Sequence, residues 1–197
     1  YPKVQIELEL TSRRVDLIHD DIDLAIRTNF QANEDSSLIV RDVIKTMHCL
    51  VASPELLQGR KIQHFSELHE FPSVVLGIQK SQYYWHLKNR EHDEMIDIPL
   101  QPRIKSNDLA GVYYAVRDGL GIADLPYITV EEDIKQGQLI HVLPEWCSNL
   151  GTVQLVYASR KGQRLVMEKL IDYLVEGLRG LAKVIWVMRF KVNRWDI

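Results

Sequence analysis

Residues 3–10 read Lys-Val-Gln-Ile-Glu-Leu-Glu-Leu, a strict alternation of polar and apolar side chains. An extended strand points successive side chains to opposite faces, so Val4, Ile6, Leu8 and Leu10 share one face. The expectation is a strand buried on that face and wet on the other. Ser12 has the residue type of a helix cap, ahead of Val15, Leu17 and Ile18 facing inward. Residues 21–27 repeat the alternation, with Ile22, Leu24 and Ile26 on one side. Strand, helix and strand within about thirty residues make the βαβ unit of a parallel sheet, which predicts an α/β fold.

Two extended stretches follow, 38–44 and 48–52, rich in β-branched residues and stopped at Ser53-Pro54, where proline holds its predecessor extended. Further on, the pattern predicts a helical fragment at 65–68 and strands at 73–76, 85–87, 95–98 and 103–105. Ser106-Asn107-Asp108 starts a helix with Leu109, Val112, Tyr113 and Val116 on one stripe, and Gly119 ends it. A buried strand at 122–125, a helix from Pro126 to Gly137, and strands at 138–143 and 153–157 come next. The last helix, 163–178, is apolar at Val166, Leu170, Leu174 and Leu178 and again at Met167 and Ile171, a stripe wide enough for burial on more than one side. Without a low-complexity linker, any domains must be joined by short extended crossovers.

With 197 residues, 46% hydrophobic and 26% charged, the chain has material for one sizeable core or two small ones. Disorder, collagen and coiled-coil rods are excluded. Lys and Arg number 24 against 27 Asp and Glu, for a net charge of −3, so these residues do not provide the basic face from which a nucleic-acid-binding domain draws affinity. Cys49 and Cys147 lack the paired spacing of a zinc or redox motif and read as reduced thiols of a cytosolic protein. No charged and apolar leader opens the sequence, so no secretory signal is visible.

A series of segments then falls into a recognisable order. Tyr1-Pro2 precedes the alternating strand, and Val15-Asp16-Leu17 precedes Asp23-Leu24-Ala25-Ile26-Arg27-Thr28. Val51-Ala52-Ser53-Pro54 follows, then Asn107-Asp108 ahead of Gly119-Leu120-Gly121-Ile122-Ala123-Asp124-Leu125-Pro126. Gly137-Gln138-Leu139 and Val142-Leu143-Pro144-Glu145-Trp146 complete the set. In order and spacing, over residues 1–178, they resemble the effector-binding domain of LysR-type transcriptional regulators.

The resemblance implies an α/β fold of two subdomains of the type 2 periplasmic-binding-protein kind, joined by two crossover strands, with a small effector in the cleft between them. The crossings fall at Val51-Ala52-Ser53 and Tyr157-Ala158-Ser159. Subdomain one then holds 1–51 and 158–180, and subdomain two 52–157. Residues 181–197 form an atypical tail, either an extra strand, a dimer contact or an expression scar. Its apolar run, Val184-Ile185-Trp186-Val187-Met188, is far short of the ~20 residues that span a bilayer. The resemblance also implies a cytoplasmic homodimer or tetramer that meets DNA only through a helix-turn-helix lying upstream, and a further strand and helix before Tyr1.

Within that frame the candidate effector contacts are strand-end residues. Thr28 and Asn29 follow the strand carrying Arg27, where the loops of an open α/β sheet line a ligand crevice. Gln79 and Ser81 lie just past the first strand of subdomain two, in a position where the family often supplies hydroxyl or amide contacts. Ser106 and Asn107 open a helix whose free N–H groups favour a carboxylate or phosphate, or else Asn107 simply caps it and Asp108 satisfies its dipole. Asp108 repels an anion unless it points away.

Other patterns are set aside. Gly119-Leu120-Gly121 follows a helix and precedes a strand, the reverse of a dinucleotide loop, and lacks the third glycine, so no cofactor is expected. Neither His64 with His69 nor His86 with His92 has zinc-binding helical spacing, and no metal is expected. Glu131-Glu132-Asp133 reads as the solvated first turn of a helix. With no nucleophile elbow, phosphate loop or carboxylate pair, no catalytic residue is named and no enzyme activity is expected. The alternative on the same fold is the solute-binding protein of a transporter.

Overall fold

The computed structural model describes residues 4–11, 15–29, 37–77, 82–148, 150–158, 165–180 and 188–192. Its strands, numbered along the chain, begin with β1 (Ile6–Leu10), β2 (Leu24–Asn29), β3 (Leu38–Ala52), β4 (Ser73–Leu76), β5 (Tyr83–Asn89) and β6 (Met95–Leu100). They continue with β7 (Pro102–Ser106), β8 (Ala123–Pro126), β9 (Ile140–Val142), β10 (Trp146–Cys147), β11 (Leu150–Ala158) and β12 (Met188–Val192). The helices are α1 (Pro54–Leu57), α2 (Leu109–Arg117), α3 (Tyr127–Lys135) and α4 (Leu165–Gly180), with a 3-10 helix at Phe65–Glu70. The chain separates into two units, Tyr1–Lys45 with Gly151–Ile197, and Thr46–Leu150. The polypeptide passes between them within β3 and within β11.

In the first unit, β12 pairs antiparallel with both β1 and β2, with Ile6 opposite Val192 and Ala25 opposite Arg189. On its other edge β2 pairs antiparallel with β11, from Asn29 opposite Thr152 to Leu24 opposite Tyr157. The expected βαβ unit is therefore corrected: β1 and β2 run in the same direction, but a strand from the tail stands between them. The expected helix is corrected as well, while its cap Ser12 lies outside the described residues. Asp16 accepts hydrogen bonds from the Ile18 and His19 amides at 3.0 Å, and Ile22 N donates to Leu17 O, which folds residues 17–21 into a turn. Side-chain capping of this kind offers the backbone an alternative to a helix. Val15 and Leu17 are buried there and Ile18 is exposed.

A third expectation fails at β1. Ile6, Leu8 and Leu10 share a face as the alternation requires, yet each is more than half exposed, because no described element covers that face. The core of the unit forms instead around Val15, Leu17, Ile22, Ala25 and Val156. Helix α4 buries Ile171, Val175 and Leu178, three positions on one helical stripe, and Arg41 of β3 pairs with its Asp172 at 3.1 Å.

In the second unit, the end of β3 pairs antiparallel with β8 and β9. Its alternation divides the apolar material: Leu50 and Ala52 join Leu57, Trp85, Leu87, Leu143 and Trp146, whereas Cys49 and Val51 join Val74, Val112, Val116, Ala123 and Leu125. Strands β5 and β6 form a hairpin extended by β10, and β5 alternates perfectly, with Tyr83, Trp85, Leu87 and Asn89 turned inward. Strands β4 and β7 lie parallel.

The helix starts follow local chemistry. Ser53 Oγ accepts from Leu56 N ahead of Pro54, and His64 with Glu67 makes a capping box on the 3-10 helix. Gly119 ends α2 at φ +74°, a left-handed conformation that glycine adopts without penalty. Gly121 serves a different need: a Cβ there would lie 2.7 Å from the Pro72 carbonyl oxygen.

Candidate functional site

The strand-end residues occupy both units. Thr28, half-buried near the end of β2, sits opposite Val153, and Asn29 is opposite Thr152. Ser106 ends β7 opposite Leu76 of β4, and the exposed Asn107 follows it. The structure thus places Ser106 and Asn107 together in the second unit and Thr28 and Asn29 together in the first. Gln79 and Ser81 lie outside the described residues.

The helix start differs from both readings of its cap. Asp108, not Asn107, caps α2: its carboxylate accepts from Ala110 N at 3.2 Å and Gly111 N at 3.3 Å. Ser106 Oγ accepts from Asp108 N and donates to Asp108 O, closing a ring on its own helix start. The amides that an external anion would use already face an internal carboxylate, which satisfies the positive end of the helix dipole. The Asn107 side chain makes no hydrogen bond among the described residues.

A second polar cluster joins residues far apart in sequence. Asp124 Oδ2, on β8, accepts from Ser148 Oγ at 2.6 Å and lies 3.3 Å from His48 Nδ1 on β3, while Ser148 N donates to His48 O. Asp124 Oδ1 is buried without a hydrogen-bond partner among the described residues. Nucleophilic catalysis by serine requires an imidazole against the hydroxyl. Here the carboxylate stands between hydroxyl and imidazole, so the hydroxyl is a donor to an anion and is not activated.

Burial, reinforced by the Asp124 charge, pushes the Cys49 thiol far above its ordinary range, and burial raises Cys147 as well. Both remain protonated near neutrality and are poor nucleophiles. The sequence signals for this cluster are faint: Asp124 sits inside the Ala-Asp-Leu-Pro segment, but nothing local relates it to residues 48 and 148.

The acidic run on α3 is corrected. The helix begins at Tyr127, so Glu131, Glu132 and Asp133 lie beyond its first turn. Asp133 accepts from the Tyr113 hydroxyl at 2.8 Å and so ties α3 to α2, while Glu131 pairs with Lys135 at 2.7 Å. Of the histidine pairs, His64 is used as a cap and His86 lies 2.7 Å from Asp97. Among the described residues no group of three or more His, Cys, Asp or Glu is placed to hold a metal ion, and no helix is long and apolar enough to cross a membrane.

Comparisons with known proteins give the whole chain a context. The family model described as the LysR substrate binding domain matches residues 1–179. The probable HTH-type transcriptional regulator LtrA of Klebsiella pneumoniae is 30% identical over 185 residues, which cover 92% of this chain and 59% of that protein. The HTH-type transcriptional regulator DmlR of Escherichia coli strain K12 is 30% identical over 182 residues, covering 89% of this chain and 58% of that protein. The chain thus spans less than three fifths of the length of these relatives.

Among solved structures, the regulatory domain of AphB from Vibrio vulnificus superposes with a TM-score of 0.65 at 27% identity, covering 83% of this chain and 78% of that one. The regulatory domain of CrgA from Neisseria meningitidis gives 0.68 at 26% identity, covering 82% and 78%. Family match, ordered motifs and fold agree: this chain belongs to the LysR substrate-binding domains, the effector-binding domains of LysR-type transcriptional regulators, with their type 2 periplasmic-binding-like α/β fold.

Proposed function

We propose that the chain senses a small polar or anionic metabolite and mediates self-association in a DNA-binding regulator. The observation that carries this reading is the family match over residues 1–179 of a chain whose two units are linked by two strand crossings. Units linked in this way let a bound ligand bias one arrangement over another, with coupling typically of ~1–3 kcal/mol. The subdomains exchange within β3 and β11, and the tail beyond residue 180 adds β12 to the first. DNA is read by a helix-turn-helix in the part of the regulator that this chain does not span, in keeping with the name HTH-type carried by the relatives and with a net charge of −3 here. The domain works as a homodimer or tetramer in the cytoplasm and has no catalytic activity of its own.

The proposed effector contacts are Thr28, Asn29, Gln79, Ser81, Ser106 and Asn107. Because Asp108 already occupies the amides of α2, the contribution of this segment comes from the Asn107 side chain and not from an open helix terminus. Uncharged groups orient a ligand without adding buried charge.

The test is a thermal-shift screen of small carboxylates, amino acids and aromatic acids on the full-length regulator, followed by calorimetry of each hit. Asn107→Ala and Thr28→Val should weaken binding while leaving the unliganded melting temperature nearly unchanged. Equal affinity in both variants removes these residues from the site, and a hit that leaves operator binding unaltered refutes the sensing role.

A further inference from the structure

Strand β1 stands at the end of the seven-stranded sheet, paired on its inner edge with β12. On its outer edge it pairs with no strand among the described residues. An exposed strand edge is a template for pairing with another chain, and natural edges are guarded, often by charge.

The guard on β1 is selective. Gln5, Glu7 and Glu9 alternate with Ile6, Leu8 and Leu10, which puts the acids on one face and the apolar residues on the other. Antiparallel pairing with a second β1 centred on Leu8 sets Glu7 against Glu9. Centred on Glu7, it sets Glu7 against its own copy and Gln5 against Glu9. Like charges directly opposite destabilise a sheet, so two copies of this edge repel.

Strand β12 shows the pattern that β1 accepts. The register sets Ile6 opposite Val192, Glu7 opposite Lys191, Leu8 opposite Phe190, Glu9 opposite Arg189 and Leu10 opposite Met188. Each acid is matched in register with a base, and each apolar residue with an apolar one. Side chains of a strand stand perpendicular to the sheet, so β1 offers the same residues to a neighbour on either edge. The preference that operates on the inner edge therefore operates on the outer one. Apolar surface remains for such a neighbour to cover, since Ile6, Leu8 and Leu10 are 51%, 52% and 57% exposed.

We propose that the outer edge of β1 docks an extended segment of another protein in which apolar and basic residues alternate. The segment adds to the sheet as a further strand. Main-chain hydrogen bonds supply affinity, while the acids and the apolar face supply the choice of partner. The surface belongs to the first unit and takes a polypeptide, so the proposal goes beyond metabolite sensing and fails or survives independently of it.

The probe is a capped peptide with the sequence of residues 188–192, Met-Arg-Phe-Lys-Val, titrated into this chain by calorimetry. Its controls are Met-Glu-Phe-Glu-Val, which reverses the charge, and Arg-Lys-Met-Phe-Val, which keeps the composition and breaks the alternation. Each should bind at least about tenfold more weakly, as expected when two cross-strand pairs are lost. Glu7→Gln, which leaves the apolar register with β12 intact, should weaken the basic peptide roughly threefold. Hydrogen exchange read by mass spectrometry then locates the peptide: amides of residues 6–10 should gain protection while those of residues 188–192 keep theirs. If protection at 188–192 falls as peptide is added, the probe has displaced β12 and the outer edge is not the site. If residues 6–10 gain protection with rising chain concentration in the absence of peptide, the occupant is a second copy and the proposed partner is wrong. Absence of binding at millimolar peptide, equal affinity for the acidic control, or full affinity in Glu7→Gln overturns the proposal outright.

Discussion

Replacing Gly121 by alanine tests why glycine is needed between α2 and β8. A Cβ at this position lies 2.7 Å from the Pro72 carbonyl oxygen, 3.0 Å from Val74 Cγ2 and 3.1 Å from the Pro72 carbonyl carbon. The neighbours have little room to retreat. Pro72 O accepts from Ile122 N, Ile122 O accepts from Val74 N, both at 2.8 Å, and Val74 is fully buried. Comfortable contact needs ~3.5 Å, so the two backbones must part by roughly 0.8 Å and stretch a paired bridge. Overpacking costs ~1–3 kcal/mol and a weakened hydrogen bond ~1 kcal/mol, which together give ~2–4 kcal/mol. At ~2–4 °C for each kcal/mol in chains of this size, Tm should fall by ~4–16 °C.

Gly137→Ala is the matched control. Gly137 has φ +71° and no atom within 4 Å of the place a Cβ would take, so its substitution carries only left-handed strain, ~1–2 kcal/mol. Thermal melts followed by tryptophan fluorescence, with Trp85 and Trp146 reporting on the same unit, decide the matter. A Gly121→Ala protein that melts with the parent, or no lower than Gly137→Ala, refutes the argument from close approach.

Three further outcomes follow from buried groups. Burial, with help from the Arg90 charge and against the pull of Glu145, holds the His141 imidazole below its ordinary value, and its Nε2 is buried without a hydrogen-bond partner among the described residues. The unfolded chain then takes the proton more readily, so this stabilisation is complete above pH ~6.5 and is lost as pH falls through the lower, folded-state value. His141→Gln should flatten the decline of Tm between pH 7 and 5, and an unchanged slope would count against the assignment. Cys49, protonated by burial, should resist iodoacetamide at pH 8 in the native protein and react fully in urea, as counted by intact mass; rapid native labelling would contradict its burial. Ser148→Ala removes the 2.6 Å bond to Asp124 and should cost ~1–3 kcal/mol in urea unfolding, whereas a loss under ~0.5 kcal/mol would show that water replaces the hydroxyl.

Much of the architecture was legible from residue order because its causes are local. Alternation along β5, the stripe and glycine stop of α2, and proline after Ser53 each act over a few residues, and the motif series extended these to the family and its two-part fold. The candidate site was less legible. Asp108 and Asn107 are both good caps by type, and only the backbone geometry at residue 108 decides which side chain reaches the amides. The cluster of His48, Asp124 and Ser148 depends on segments far apart in sequence being brought together.

The burial of an element is decided by its neighbours, which is why β1 misled. Its alternation determined that Ile6, Leu8 and Leu10 share a face, and they do, but covering that face requires another element. Likewise residues 15–21 contain helix-compatible side chains, yet Asp16, accepting from the Ile18 and His19 amides, stabilises a turn. The amino-acid order by itself determined which segments extend or coil and which family the chain joins, since those follow from side-chain period and local hydrogen bonding. Tertiary structure alone decided that a tail strand enters between β1 and β2, and which polar groups meet, because pairing and desolvation depend on contacts made across the chain.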